Sequence, residues 1–339
     1  GRQFFVKVGG PAGTGKSVVL KKYADFVRRF YMRGEACVIA APTACAALLV
    51  GGVTLHFLLK LMIAVMKKAL QHLKVLIIDE ISLATATLIA QLDQRLQKAF
   101  ETDEVFGGVS IVVFGDLLQF PPVPTVKGGK QEYTFKGIPQ EYNVIRQVVT
   151  PKSPYYLWDL FELTELTEHV RAKSSDDASV LAAIRQREKT EKLVDYLVNH
   201  CSMDGDGPAD IFRELRWLCH ENPAGDFIVL APNTEQVKEL NTWIVEHSKK
   251  VVEIAPLSTR PSSCPINALD NGRVVKITHL PFKRANGSGD IWFQFPVAMA
   301  EVITVNKSQG MTFDGVVMLS EHMERSENFY PALPDRCEV

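Results

Sequence analysis

Short apolar runs alternate along this chain with stretches in which apolar residues recur at helical spacing. Residues 4–8 form an apolar, β-branched run halted by Gly9-Gly10, which predicts a buried strand. Across 18–33, Val19, Tyr23, Phe26, Val27, Phe30 and Tyr31 return every few positions, which predicts a helix. Residues 36–41, 75–79 and 109–115 are further short apolar runs with helical or loop segments between them. Strands that alternate with helices predict an α/β fold with a mostly parallel, doubly wound sheet.

The pattern changes at 121–154, where Pro121, Pro122, Pro124, Pro139, Pro151 and Pro154 crowd together with several glycines. Such a stretch reads as a connector, giving a first lobe over 1–122, a connector over 123–157 and a second lobe over 158–339. In the second lobe a helical pattern over 178–200 is followed by a polar break at 202–210, a strand at 227–231 and a helix near 234–248. A hairpin is expected within 271–295, turning at 285–290, inside a small β insertion spanning about 266–296. A last strand is expected at 302–305. Residues 46–66 are mostly apolar over about the length of a spanning helix, but Gly51-Gly52, His56 and Lys60 interrupt them. They are expected to be buried core, with no membrane contact.

Composition narrows the class. The chain has 339 residues, enough for two domains with their own cores, and is 46% hydrophobic and 23% charged, as in ordinary globular proteins. A net charge of -1 argues against a broadly basic nucleic-acid binder but leaves room for a narrow basic groove. The six cysteines show no CxxC pair, so free thiols in a reducing, intracellular compartment are expected. A zinc site from His200-Cys201 and Cys219-His220 is the weaker alternative, since adjacent ligands fit zinc-knuckle spacing poorly.

The chemistry begins at GGPAGTGKS, residues 9–17, which fits GxxxxGKS between a predicted strand and a predicted helix. Gly10, Gly13, Thr14 and Gly15 would let backbone N–H groups curl around phosphates at a helix N-terminus. Lys16 would neutralise phosphate charge and the Ser17 hydroxyl would ligate magnesium. In VLIIDE, residues 75–80, Asp79 would hold magnesium from the second shell and Glu80 would orient and activate the attacking water. The alternative is a surface Asp-Glu pair after a core strand. In VVFGDLLQFPPV, residues 112–123, Gln119 is placed to hydrogen-bond a γ-phosphate or its water, or is simply a polar loop residue. The expected ligands are therefore ATP and Mg2+. Near the C-terminus, ITVNKSQGMTFDG carries a second Lys-Ser without the glycine spacing of a phosphate loop.

These segments, with APTACAALLVGGVTLHFLL, LTELTEHVR and VLAPNTEQVKELN, follow one another in an order that resembles superfamily 1 helicases. The combination of DEIS, GDLLQFPPV and NKSQGMTFD is most similar to the petite-integration-frequency (PIF-type) DNA helicases and their Helitron and large-DNA-virus relatives, with RecD-type enzymes next. The resemblance implies two RecA-like P-loop NTPase lobes, ATP in the cleft between them and single-stranded DNA, or DNA with a single-stranded tail, across the top. It implies 5'-to-3' movement, in a DNA-containing compartment, and is compatible with a monomer. Thr43, Thr54 and His56 match segments that contact the DNA backbone, and Arg171 matches an arginine that reaches into the nucleotide cleft. Thr304, Lys307, Ser308, Gln309 and Gly310 match the second-lobe motif linking DNA phosphates to the ATP site. Arg336, in YPALPDRC, is the counterpart of a further cleft arginine, displaced by Pro334-Asp335.

Stacking rings for the strand would come from His56, Phe57, Phe120, Trp292 and Phe293, each with a core position as the alternative. Gln3 does not match the upstream glutamine that reads adenine in relatives. The wedge between His56 and Asp79 and the insertion near 271–295 are both short for the family. Nucleotide hydrolysis and translocation are thereby better supported than duplex unwinding, and a DNA-binding module with weak hydrolysis is the alternative function.

Overall fold

A computed structural model describes residues 2–122, 133–134, 157–168, 170, 175–186, 188, 190–205, 207–247, 280–283, 291–294 and 301–319. Its chain divides into two compact units, Gly1–Asn233 with Thr304–Val339, and Thr234–Ile303.

The first unit is built on a six-stranded sheet in the order β3-β2-β4-β5-β1-β6. Its strands are β1 (Phe5–Gly9), β2 (Cys37–Ala41), β3 (Val53–Thr54), β4 (Val75–Ile78), β5 (Ser110–Phe114) and β6 (Glu162–Glu165). Every pairing is parallel. The apolar runs of β4 and β5 are buried throughout, as expected of central strands covered on both faces. Alternation then sorts their side chains: Leu76, Ile78, Ile111 and Val113 enter one core, while Val75, Ile77, Val112 and Phe114 enter the other. Helix α1 (Lys16–Phe30) covers the second face through Leu20, Ala24 and Val27, spaced three to four apart. On the opposite face lie α3 (Leu55–Lys60), α4 (Ile63–Leu70) and α5 (Ala86–Phe100).

The apolar stretch at 46–66 is thus divided among α2 (Ala44–Leu49), β3, α3 and α4, and contributes Leu55, Leu58 and Met66 to the core. Among the described residues no helix is long and apolar enough to cross a membrane.

Three features depart from the expected organisation. Residues Glu162–Glu165, assigned by pattern to the second lobe, form the parallel edge strand beside β1 in the first sheet. The four-residue segment ELTE has no buried position, so its membership rests on backbone pairing that hydrophobic pattern does not record. The helical stretch at 178–200 is two helices, α6 (Ser175–Gln186) and α7 (Glu191–His200), the second capped by the Thr190 hydroxyl accepting from Leu193 N at 3.1 Å. Helix α8 (Pro208–Glu221) begins inside the expected polar break, with proline at its first turn. Strand β7 (Phe227–Ala231) pairs in parallel with β11 (Gly315–Met318).

The second unit holds α9 (Thr234–His247) and an antiparallel hairpin of β8 (Leu280–Lys283) with β9 (Ile291–Gln294). The Asn241 side-chain amide donates to Val302 O at 3.3 Å, at the start of β10 (Val302–Thr304).

Candidate functional site

The C-terminal ends of β1, β4 and β5 meet at one edge of the sheet, where open parallel sheets bind their ligands. The loop Gly9–Ser17 leaves β1 there. A Cβ on Gly10 would stand 2.6 Å from Leu166 O, so only glycine allows the chain after β6 to approach. That chain runs along the loop: Leu166 N donates to Gly9 O at 2.9 Å and Val170 N to Gly13 O at 3.0 Å. Gly15 caps α1 in the left-handed region (φ 81°), and among the described residues no side chain caps this helix end. Its first N–H groups and positive end face the loop, the arrangement that receives phosphate.

Inside the loop, the Thr14 hydroxyl donates to Pro11 O at 2.9 Å. Lys16 Nζ donates to Gly10 O and Pro11 O, both at 2.7 Å, holding the ammonium at the loop mouth. Ser17 is exposed in the first turn of α1.

Asp79 follows β4 and is only 7% exposed. One of its carboxylate oxygens accepts from Glu80 N at 3.0 Å. Burial pushes the Asp79 carboxyl above its ordinary range, while the Glu80 amide, Lys16 and Lys21 pull the other way. Oxygen donors of this kind at Asp79 and Ser17 fit a hard divalent cation such as Mg2+. Glu80 takes a left-handed backbone conformation (φ 49°, ψ 47°), a strained geometry that clusters at functional sites. Burial pushes its carboxyl up to about 7, with Asp79 adding to the rise, Lys16 and Gln309 opposing it, and Asp116 adding again.

The second Lys-Ser segment reaches this same site. Thr304 ends β10, and Val305–Ser308 form the single-turn helix α10. Gln309, 7% exposed, donates from Nε2 to Glu80 Oε2 at 3.1 Å across 229 positions of sequence. Its Oε1 is buried and has no hydrogen-bond partner among the described residues. A Cβ on Gly310 would lie 3.3 Å from Leu49 Cδ1 and 3.9 Å from Glu80 Oε1, so the glycine also borders the acid. Lys307 is exposed, whereas Ser308 is buried with its hydroxyl donating to Val305 O at 2.8 Å.

After β5, Asp116 is 2% exposed and organises the turn that carries Gln119. Its carboxylate accepts from Leu118 N at 3.1 Å, and its carbonyl accepts from Gln119 N at 3.1 Å. The carboxylate is gripped by Arg185 of α6, which donates from Nε and Nη2 at 2.9 Å each. Sequence reasoning missed this pair. Its available signal was an aspartate ending a buried strand, which needs a cation nearby.

Of the residues matched to strand contact, Thr43 and Thr54 are helix caps, exposed and half-buried respectively, and Thr304 is buried at 8%. The Thr43 hydroxyl accepts from Ala46 N at 3.2 Å and caps α2. That of Thr54 accepts from Phe57 N at 3.1 Å and caps α3. His56 is exposed and Phe57 is 54% exposed, so that ring is open to a partner. Phe120 is buried at 3% and cannot stack on a strand, a correction to its candidacy. Arg171 and Arg336 lie outside the described residues, as do the side chains of Trp292 and Phe293. Cys201 and Cys219 are free and exposed, and among the described residues no group of three His, Cys, Asp or Glu is arranged to hold a metal ion.

A glycine loop at a helix N-terminus, with buried Asp79 and half-buried Glu80 behind it and a glutamine-bearing turn beside it, defines an α/β phosphate-loop protein of the RecA-like type. The family model for the PIF1-like helicases matches residues 1–199, and the chain belongs to that family. It is 37% identical to the ATP-dependent DNA helicase RRM3 of Saccharomyces cerevisiae over 226 residues, covering 61% of this chain and 29% of that one. With the ATP-dependent DNA helicase PIF1 of Xenopus laevis it shares 28% identity, over 96% of this chain and 56% of the relative. The chain thus spans about a third to about half the length of these two relatives. Among solved structures, one of Pif1 helicases coordinating at forked double-stranded DNA superposes with a TM-score of 0.69 at 25% identity, covering 99% of this chain and 86% of the other. Pif1 from Bacteroides in complex with ADP-AlF3 and single-stranded DNA gives a TM-score of 0.69 at 24% identity, covering 99% and 87%.

Proposed function

We propose that this chain hydrolyses ATP to move 5'-to-3' along single-stranded DNA, as an ATP-dependent DNA helicase or translocase. The observation that carries the reading is the Gln309–Glu80 hydrogen bond, which joins the Lys-Ser segment near the C-terminus to the acid behind the phosphate loop. The 5'-to-3' polarity is the one the family resemblance implies.

In this reading the loop amides from Gly10 to Gly15 and the Lys16 ammonium bind the β- and γ-phosphates. Ser17 and Asp79 would hold magnesium, which would supply charge neutralisation for the phosphates. Glu80 accepts a proton from the attacking water, and a carboxyl lifted by burial to about 7 suits that task near neutral pH. Gln119 hydrogen-bonds the γ-phosphate or its water. Arg171 and Arg336 stabilise transition-state charge from the second lobe, a contribution of roughly 10³- to 10⁵-fold for an arginine finger.

The strand is gripped by Thr43, Thr54, His56 and Phe57 on the first lobe and by Lys307 on the second, while Thr304, only 8% exposed, supports that turn from within. Ser308 acts from beneath, since its hydroxyl is bonded to Val305 O. A change at Lys307 reaches Glu80 through two intervening residues, which ties strand binding to hydrolysis. The division into two lobes is part of the proposal, with the boundary placed after β6 because that strand pairs with β1. The protein acts wherever the cell keeps DNA with single-stranded tails.

The test is steady-state ATP hydrolysis with and without single-stranded DNA, followed by strand displacement on 5'-tailed and 3'-tailed duplexes. Stimulation by the strand and displacement from the 5' tail are expected. Absence of any stimulation sinks the translocase reading, leaving a nucleotide-dependent DNA-binding module.

A further inference from the structure

Helix α6 touches the candidate site at two places. Val180 and Ile184, with Leu193 of α7, form a small core against which Ala12 of the phosphate loop packs. The next residue, Arg185, turns the other way and grips Asp116. Its two nitrogens meet the carboxylate side-on, Nε to Oδ2 and Nη2 to Oδ1, a fork that a lysine cannot reproduce. Both partners are withdrawn from solvent, with side chains 17% and 1% exposed. A pair so placed is held by geometry and is not a surface contact of little consequence.

Asp116 spends its remaining bonding capacity on the turn ahead. Oδ1 also accepts from Leu118 N, and the Asp116 carbonyl accepts from Gln119 N. A continuous path of hydrogen bonds therefore runs from the Arg185 guanidinium through Asp116 to the backbone of Gln119. The helix that supplies the arginine is the one packed under Ala12, so the loop that binds phosphate and the turn that reads it share one support.

We propose that Arg185 is a positioning residue that fixes the turn 116–119, and with it the Gln119 amide, relative to the phosphate loop, so that the site distinguishes a nucleoside triphosphate from a diphosphate. This rests on the role assigned above to Gln119. Arg185 itself touches no substrate. Displacing a reacting group by about 1 Å can reduce a rate about 10²-fold, which sets the size of effect available to a positioning residue.

The experiment uses the full chain in three forms: wild type, Arg185→Lys, and the neutral pair Arg185→Gln with Asp116→Asn. Each is made with and without Gln119→Ala. The neutral pair leaves no uncompensated buried charge and keeps the test informative if Arg185→Lys folds poorly. Two quantities are measured, kcat and KM for ATP with saturating single-stranded DNA, and the affinity ratio between a non-hydrolysable ATP analogue and ADP. With Gln119 present, kcat is expected to fall about 10- to 10²-fold with KM changed less than about threefold. The analogue-to-ADP preference should fall to the Gln119→Ala level. In the Gln119→Ala background neither quantity should move more than about threefold further, because the two changes act on one element.

Effects that multiply in full across the two backgrounds overturn the proposal, as does an unchanged triphosphate preference in folded variants. A wild type that binds the analogue better than ADP but does not hydrolyse ATP defeats the translocase reading alone, and the affinity ratio then decides this one.

Discussion

The two halves of the candidate machinery are built on opposite principles. At the sheet edge, Asp79, Glu80 and Asp116 are taken out of water and each is answered by a specific partner: a backbone amide, the Gln309 amide, the Arg185 fork. Along the surface matched to strand contact, Thr43, His56, Phe57 and Lys307 are exposed and Thr54 is half-buried, and two of these, Thr43 and Thr54, already serve as helix caps. Chemistry on phosphate needs charges held in fixed positions in a poorly screened setting, where each is strong and each error is expensive. A sliding grip needs the reverse: modest contacts that form and release, supplied by hydroxyls and a ring on a rigid scaffold.

This contrast makes the site the place of largest mutational effect. Glu80→Gln is expected to lower strand-stimulated ATP turnover about 10²- to 10⁴-fold, the usual range for loss of a general base, with nucleotide affinity retained. Its melting temperature should not fall, because the substitution removes a buried charge beside Asp79 and Asp116. Lys16→Ala should reduce nucleotide affinity and turnover together, so equilibrium binding separates the two variants. If Glu80→Gln turns over ATP at the wild-type rate, Glu80 is not the base.

An intermediate effect is expected on the exposed surface. Phe57→Ala should weaken single-strand affinity by about 1 to 3 kcal/mol, about 5- to 150-fold, if its open ring stacks on a base. Fluorescence anisotropy with a labelled oligonucleotide reads this directly. An affinity unchanged within twofold would remove Phe57 from the grip and leave the capping hydroxyls to carry it.

Smallest of all is the cap itself. Thr54→Ala should reduce unfolding free energy by about 1 kcal/mol, measured by denaturant titration, and Thr54→Ser should restore most of it. A strand-affinity loss in Thr54→Ala that Thr54→Ser does not repair would mean that the threonine methyl contributes, against the hydroxyl reading.

Much of this protein was legible from residue order. Strand 227–231 is found at the predicted positions, β2 and β4 differ from expectation by one residue at one end, and β1 and β5 by one residue at each end. Periodicity and β-branching are local, and a buried strand writes them into consecutive residues. The phosphate loop was legible for the same reason, since one turn carries its glycines, lysine and serine together. Family resemblance added the role of the Lys-Ser segment, where spacing alone had shown only that it was not a second phosphate loop.

Folding was needed for the partnerships. Nothing near Glu80 in sequence announces Gln309, and Asp116 lies 69 positions from Arg185. Membership of β6 in the first sheet was likewise invisible, because an exposed tetrapeptide carries no period, and for Phe120 the packed molecule decided between the two readings, stacking or core, that the sequence left open. Local pattern fixes which elements form. A buried carboxylate is satisfied only by what the chain path brings within about 3 Å, and that is a property of the packed molecule.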